Sequence, residues 1–292
     1  MEHRSLIMDK FEYCENIIKE SSHSFYKAFS VLPEEKAKAV YAIYAFCRSV
    51  DDAIDVNNDV KKLNDLEEKI KATFAGETPN DLLFKALEET FEKFPSDQKP
   101  YLDLIDGMRD DYKNKPIKTE ADLDKYCYKA AGTVGLMLLP VIASEQLKDN
   151  KEKLESVAVE LGKGMQITNI LRDVRDDLMN DRVYFPDEII EQHQLQLEIT
   201  RTGLVTAEWR SMMEYYITKS KEQYQVFYDN AGLFDKDSIL PTYLAARFYE
   251  AIMDQIQSKN YTNINKRHVV GKFKKWRISK NVQKTLHKKG LL

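Results

Sequence analysis

Turn-forming residues are scarce in this chain. Its 292 residues include 10 glycines and 8 prolines, about 3% each against usual shares of ~7% and ~5%. An all-β sandwich or barrel needs a turn every ~8–12 residues, so the scarcity argues against one. Charged residues make up 32% and apolar residues 43%, a balance that excludes disordered, low-complexity and fibrous classes. The three cysteines, Cys14, Cys47 and Cys127, are odd in number and widely spaced. They suit neither a disulfide framework nor a zinc site, and a reducing cytoplasm is the expected location. No signal peptide is read at the N-terminus. The most apolar stretch, Ala130 to Ala143, falls short of the ~20 residues that a membrane-spanning helix needs. Phosphate-binding glycine loops of the P-loop or Rossmann type are absent as well. A di-iron carboxylate bundle needs two Glu-x-x-His repeats, and this chain has one, Glu20 to His23.

Acid is missing from one segment. Ten Lys and Arg and no Asp or Glu lie between Lys266 and Leu292, so the remainder carries 44 − 10 = 34 bases against 48 acids, or −14. Such a tail suits anionic lipid, nucleic acid or a phosphorylated substrate, or is a solvated helix end. Taken alone it is weak support for nucleic-acid binding.

What is present reads at helical period almost throughout. Pro33, Glu34 and Glu35 open a helix that runs to about Asp55. Further helical stretches are expected at about 60–75, 80–94, 97–113, 119–145, 150–180, 204–230, 236–259 and 266–288, with glycine and proline at the breaks. One all-α domain spanning 1–292 is the simplest organisation.

Two of these helices break the amphipathic rule in the same way. In the first, Tyr44, Arg48, Asp51 or Asp52, and Asp55 share a face; in the second, Gly162, Gln166, Asn169, Asp173 and Asp177 do. Like charges at this spacing cost ~0.2–0.5 kcal/mol per pair. One such stripe alone reads as the wet side of a helix. Two, each embedded in an apolar helix, read better as carboxylates facing each other across a bundle. Their oxygen-only donor set suits magnesium rather than zinc or copper.

The stretches Asp51-Asp52-Ala53-Ile54-Asp55 and Asn169-Ile170-Leu171-Arg172-Asp173-Val174-Arg175-Asp176-Asp177 resemble the acidic motifs of the squalene and phytoene synthase family. Ser21-Ser22-His23-Ser24-Phe25-Tyr26, Gly107 to Asp111, Tyr126 to Gly135, Arg182 to Pro186 and Ala245 to Tyr249 agree, in family order. Within the family the chain is most similar to bacterial dehydrosqualene (4,4'-diapophytoene) synthases. The resemblance implies an all-α isoprenoid synthase fold with a central cavity. It implies head-to-head condensation of two farnesyl diphosphates, through presqualene diphosphate, to dehydrosqualene, the first committed step toward thirty-carbon carotenoids. By motif position the magnesium ligands are Asp51, Asp55, Asn169, Asp173 and Asp177. Asp51, Asp55, Asp173 and Asp177, with Arg48 and Arg172, form the catalytic set. Substrate contacts fall at Ser21, Ser22, His23, Ser24, Tyr44, Arg48, Gln166, Arg172 and Tyr249, with Asp111, Tyr126, Arg182 and Tyr184 second in rank.

Several readings stand beside these. Ser21 to Ser24 also suit helix capping, and Tyr44, Tyr126 and Tyr249 also suit plain core packing. Phe25, Tyr26 and Phe29 are expected along the prenyl chain. The family has a basic residue after its last large helix, supplied here by Lys266 or Arg267. NADPH is not expected, because the dehydrosqualene branch ends in proton loss; squalene synthase takes a hydride from NADPH, and phytoene synthase uses geranylgeranyl diphosphate. A helical scaffold that binds lipid or a partner without catalysis would have no need of both acidic stripes. The expected partner is a small prenyl diphosphate, not nucleic acid. An oily product implies weak peripheral membrane contact through the basic C-terminal helix.

Overall fold

Side-chain caps set six of the helix starts in a computed structural model that describes residues 8–55 and 59–292, the side chain of Asp55 excepted. Asp9 accepts from the backbone N–H groups of Phe11 and Glu12 and begins α1 (Lys10–Ser21). Ser22 caps α2 (His23–Phe29), and α3 (Glu34–Asp55) follows Pro33. Asp59 and Asp81 cap α4 (Val60–Phe74) and α5 (Leu82–Lys93). Pro100 lies in the first turn of α6 (Lys99–Tyr112), where its missing N–H costs nothing. A capping box between Thr119 and Asp122 opens α7 (Glu120–Cys127). A π-helical turn at Tyr128–Gly132 leads into α8 (Thr133–Ile142). The longest helix, α9 (Leu147–Met179), is kinked at Asn150. Two short helices, α10 (Asp187–Gln192) and α11 (Leu197–Arg201), precede α12 (Ala207–Asn230), α13 (Lys236–Ser258) and α14 (Lys272–Lys289). No strand occurs among the described residues, so the fold is all-α, as the sequence indicates.

Three features depart from the periodicity. Helices α1 and α2 precede the first stretch that it identifies. The expected helix over 119–145 is divided by the π turn, a feature that recurs at functional sites. The last helix starts at Lys272 rather than 266, because Gly271 forms an extended N-cap after Val269 and Val270.

The two helices that carry the acidic motifs are separated by α8, which packs on both α3 and α9. The contact between α8 and α9 is backbone to backbone. A Cβ on Gly135 would lie 2.5 Å from the Ala158 carbonyl oxygen, and one on Gly162 would collide with the Ala131 carbonyl of the π turn. Gly162 is therefore a packing residue within the second stripe. On its far side α9 packs on α12, where Thr168 lies 3.0 Å from the Tyr224 hydroxyl and Ser220 donates to the Gly164 carbonyl.

A buried carboxylate joins the start of α3 to the start of α13. Asp235 accepts from Lys36 Nζ at 2.8 Å, from Ser144 Oγ at 2.6 Å and from the Glu145 N–H at 3.0 Å. Burial alone would raise its pKa, but these donors outweigh burial and lower it. All three cysteines are buried and unpaired.

Gly162→Ala is expected to cost ~1–3 kcal/mol, because a rigid backbone must move to admit the methyl group. Thermal unfolding followed by circular dichroism checks this; an unchanged midpoint would contradict the close approach.

Candidate active site

A cavity of about 660 Å³ lies between the helices, within the ~300–1,000 Å³ usual for small-molecule sites. Its lining changes character along both principal walls. On α3 it runs through Val40, Ile43 and Cys47 to Arg48 and Asp51; on α9 it runs through Ala158, Leu161 and Met165 to Gln166, Asn169, Asp173 and Asp177. Each wall is thus apolar toward the helix start and polar toward its end. Tyr44, Arg48 and Asp51 of the first stripe and all five residues of the second line this cavity, while the side chain of Asp55 lies outside the described residues.

Asp173 meets two guanidinium groups. Arg172 grips it with two parallel hydrogen bonds, Nε donating to Oδ1 at 2.8 Å, and Arg267 Nε lies 2.8 Å from the same oxygen. Tyr249 completes this corner. Burial raises its phenol pKa, and the neighbouring Arg172 partly offsets the rise. Tyr44 is likewise pushed up by burial and by Tyr249. On α3, Arg48 pairs with Asp52, which does not line the cavity, whereas Asp51 does. The open choice between Asp51 and Asp52 on the first stripe thus falls to Asp51.

A polar relay runs along the opposite side. Asn169 Nδ2 donates to Gln166 Oε1 at 3.2 Å, and Gln166 Nε2 donates to the Tyr126 hydroxyl at 3.3 Å. The Tyr126 ring stacks on Tyr184 with centroids 4.9 Å apart. Tyr184 donates to Asp111 at 3.0 Å, and Arg182 reaches the same carboxylate at 3.2 Å.

Ser21, Ser22, His23 and Ser24 line the cavity at the junction of α1 and α2. Ser22 also caps α2 by accepting from the Phe25 N–H, so capping and cavity lining coexist. Phe25 and Phe29 line the cavity with rings stacked 5.9 Å apart. Tyr26 does not line it: its hydroxyl donates to Glu15 and its ring packs on Tyr41. Residues four apart share a helix face, whereas Tyr26 is turned about 100° away from Phe25.

Two cations reach the site from the C-terminal segment. Arg267, not Lys266, lines the cavity and meets Asp173. Lys275, which the motifs did not single out, donates to Ser24 at 2.7 Å. Burial and then Lys27 lower its pKa. The family resemblance offers Arg267 beside Lys266, but only the cluster of basic residues in the tail hints at Lys275, since no spacing rule links it to Ser24.

Among the described residues no three His, Cys, Asp or Glu side chains already converge on one point. The acidic residues instead occupy separate walls, Asp51 on α3 and Asp173 and Asp177 on α9. Two buried atoms indicate what suits the space between. Among the described residues, Asn169 Oδ1 is an acceptor with no donor, and Arg48 Nε is a donor with no acceptor. Each such atom carries a desolvation cost of ~1–3 kcal/mol. An oxygen acceptor beside carboxylates fits a hard divalent cation; a guanidinium N–H fits an anion.

Comparison with known proteins agrees with this geometry. The family model for squalene/phytoene synthase matches residues 18–277. The 4,4'-diapophytoene synthase of Staphylococcus haemolyticus is 32% identical over 96% of this chain and 98% of its own. The chloroplastic phytoene synthase of Narcissus pseudonarcissus is 34% identical over 92% of this chain, which spans 65% of the plant protein's length. Among solved structures, a dehydrosqualene synthase in complex with a ligand superposes with a TM-score of 0.89 at 34% identity, covering 96% of this chain and 97% of that one. The squalene synthase HpnC of Alicyclobacillus acidocaldarius gives 0.77 at 25% identity, covering 86% and 94%. The matched span includes every helix that carries an acidic motif, and the chain belongs to the squalene/phytoene synthase family, as an enzyme of the prenyltransferase type.

Proposed function

We propose that the enzyme joins two farnesyl diphosphates head to head, through presqualene diphosphate, to form dehydrosqualene. The observation that carries this reading is the pairing of unsatisfied atoms among the described residues, Arg48 Nε for an anion and Asn169 Oδ1 for a cation, at the polar end of a cavity whose other end is apolar. A diphosphate with a hydrocarbon tail and a divalent cation is the ligand combination that satisfies both.

The chemistry begins when the C1–O bond of one allylic diphosphate breaks and its electron pair leaves on the diphosphate. Arg48, Arg172, Arg267 and Lys275 surround the space for that charge and stabilise it. Magnesium, held by Asp51, Asp55, Asn169, Asp173 and Asp177, supplies further positive charge to the leaving group when bound. The double bond of the second substrate attacks the allylic cation, and loss of a proton closes a cyclopropane. The second diphosphate then leaves, the skeleton rearranges, and loss of another proton ends the reaction. Water must be kept out, which the aromatic cluster of Phe25, Phe29, Tyr44 and Tyr249 can do; Phe25 and Tyr249 lie 5.0 Å apart. Their ring faces also attract a carbocation. Ser21 to Ser24 and Gln166 orient the diphosphates by hydrogen bonding. Cytoplasmic location with peripheral membrane contact belongs to the same reading, because the hydrocarbon product is insoluble in water.

Incubation with farnesyl diphosphate and magnesium, with and without NADPH, is expected to yield dehydrosqualene in both cases, identified by mass. Squalene formed only with NADPH would move the enzyme to the reductive branch, and product from geranylgeranyl diphosphate alone would make it a phytoene synthase. Phe29→Ala is expected to enlarge the apolar end and raise the share of longer product when both substrates are supplied; an unaltered distribution in a folded variant would contradict that role. Asn169→Leu removes the donor to Gln166 together with the orphaned oxygen, so it is expected to change stability by no more than ~1.5 kcal/mol while cutting magnesium-dependent turnover by ~100-fold or more. Full turnover in the folded variant would contradict the assignment of Oδ1 to a cation.

A further inference from the structure

The solvent side of α14 is not an ordinary polar surface. Phe273, Trp276, Arg277, Lys280, Lys284 and Lys288 recur at spacings of three and four, so they share one face, and all are exposed. The opposite face, with Val282 and Leu286 buried, packs on α13. Phe273 is 71% and Trp276 54% exposed, with rings stacked at 5.9 Å. Two large aromatic side chains held side by side in water are costly unless something covers them. No acid lies between residues 266 and 292, so whatever covers this face meets only positive charge.

The same segment borders the cavity. Arg267, Val269, Val270 and Lys275 all line it, and Val269 is 66% exposed. Val269 thus belongs both to the cavity wall and to the surface, which marks an opening there. Phe273 follows four residues later, on the first turn of α14.

We propose that this face of α14 docks on an anionic lipid surface, with Phe273 and Trp276 entering the headgroup layer beside the mouth of the cavity. Aromatic side chains at one end and a row of cations along the same face are the composition of an interfacial helix. Each Lys or Arg near an anionic leaflet adds attraction, which salt weakens. A nucleic acid would engage the cations and leave the aromatic pair without a reason. Docking stands on this surface alone. Its consequence, that a hydrocarbon passes from the cavity into lipid without crossing water, rests on the reaction proposed above.

The test is co-sedimentation with vesicles of phosphatidylglycerol and phosphatidylcholine, against phosphatidylcholine alone and against duplex DNA. Binding to the anionic vesicles is expected to be ~10-fold or more tighter than to the neutral ones, and to weaken in high salt. F273S/W276S and K280E/K284E are each expected to lower it by ~10-fold or more, with the thermal midpoint and turnover of detergent-dispersed substrate unchanged. The chain has two tryptophans, and Trp209 is 1% exposed, so a blue shift of fluorescence on vesicles reports Trp276. Unchanged vesicle binding by F273S/W276S, no binding by the wild type, or tighter binding to DNA would overturn the proposal. Diphosphate release measured in the same tubes separates the two claims: docking without turnover would refute only the reaction, and turnover without docking only the surface.

Discussion

Two guanidinium groups meet Asp173 at the polar end of the cavity. Arg172, its neighbour on α9, holds both oxygens, and Arg267 arrives from beyond α13 at 2.8 Å. The ion pair from Arg267 fixes the C-terminal segment against the cavity. Lys275 strengthens the same closure through Ser24, so the first and last parts of the chain meet at the site.

The remainder of the fold positions this corner opposite α3. Helix α8 packs on both α3 and α9, and Gly135 and Gly162 let α9 approach α8 and the π turn at backbone distance. With that spacing fixed, the two walls change together from apolar to polar. The gradient matches an amphiphile with a charged head, and it also separates the chemistry from water, which a carbocation requires.

The acidic motifs were legible in the sequence because they violate a rule. Carboxylates four residues apart within apolar helices have no structural reason to be there, and Asp51, Asp173 and Asp177 do face the cavity. Arg267 was legible only as an alternative to Lys266, and Lys275 was not legible as a site residue, since only tertiary folding brings them to Asp173 and Ser24. Asp52 and Tyr26 each lie about 100° around their helix from a cavity residue, Asp51 and Phe25. Proximity in sequence could not separate these neighbours, but the cavity lining does: Asp51 and Phe25 line it, while Asp52 forms an ion pair with Arg48 and Tyr26 donates to Glu15. The π turn inside the expected helix over 119–145 has no sequence signature. The late start of α14 does have one, the run Val269-Val270-Gly271, which favours extended backbone.

The central claim is that the cavity completes itself with a diphosphate and a divalent cation together. Calorimetric titration with inorganic diphosphate, with and without magnesium, tests this most directly. The predicted result is mutual tightening: magnesium strengthens diphosphate binding and diphosphate strengthens magnesium binding by the same factor, and Asp173→Asn loses that coupling. Diphosphate binding that is indifferent to magnesium, in a folded protein, would contradict it.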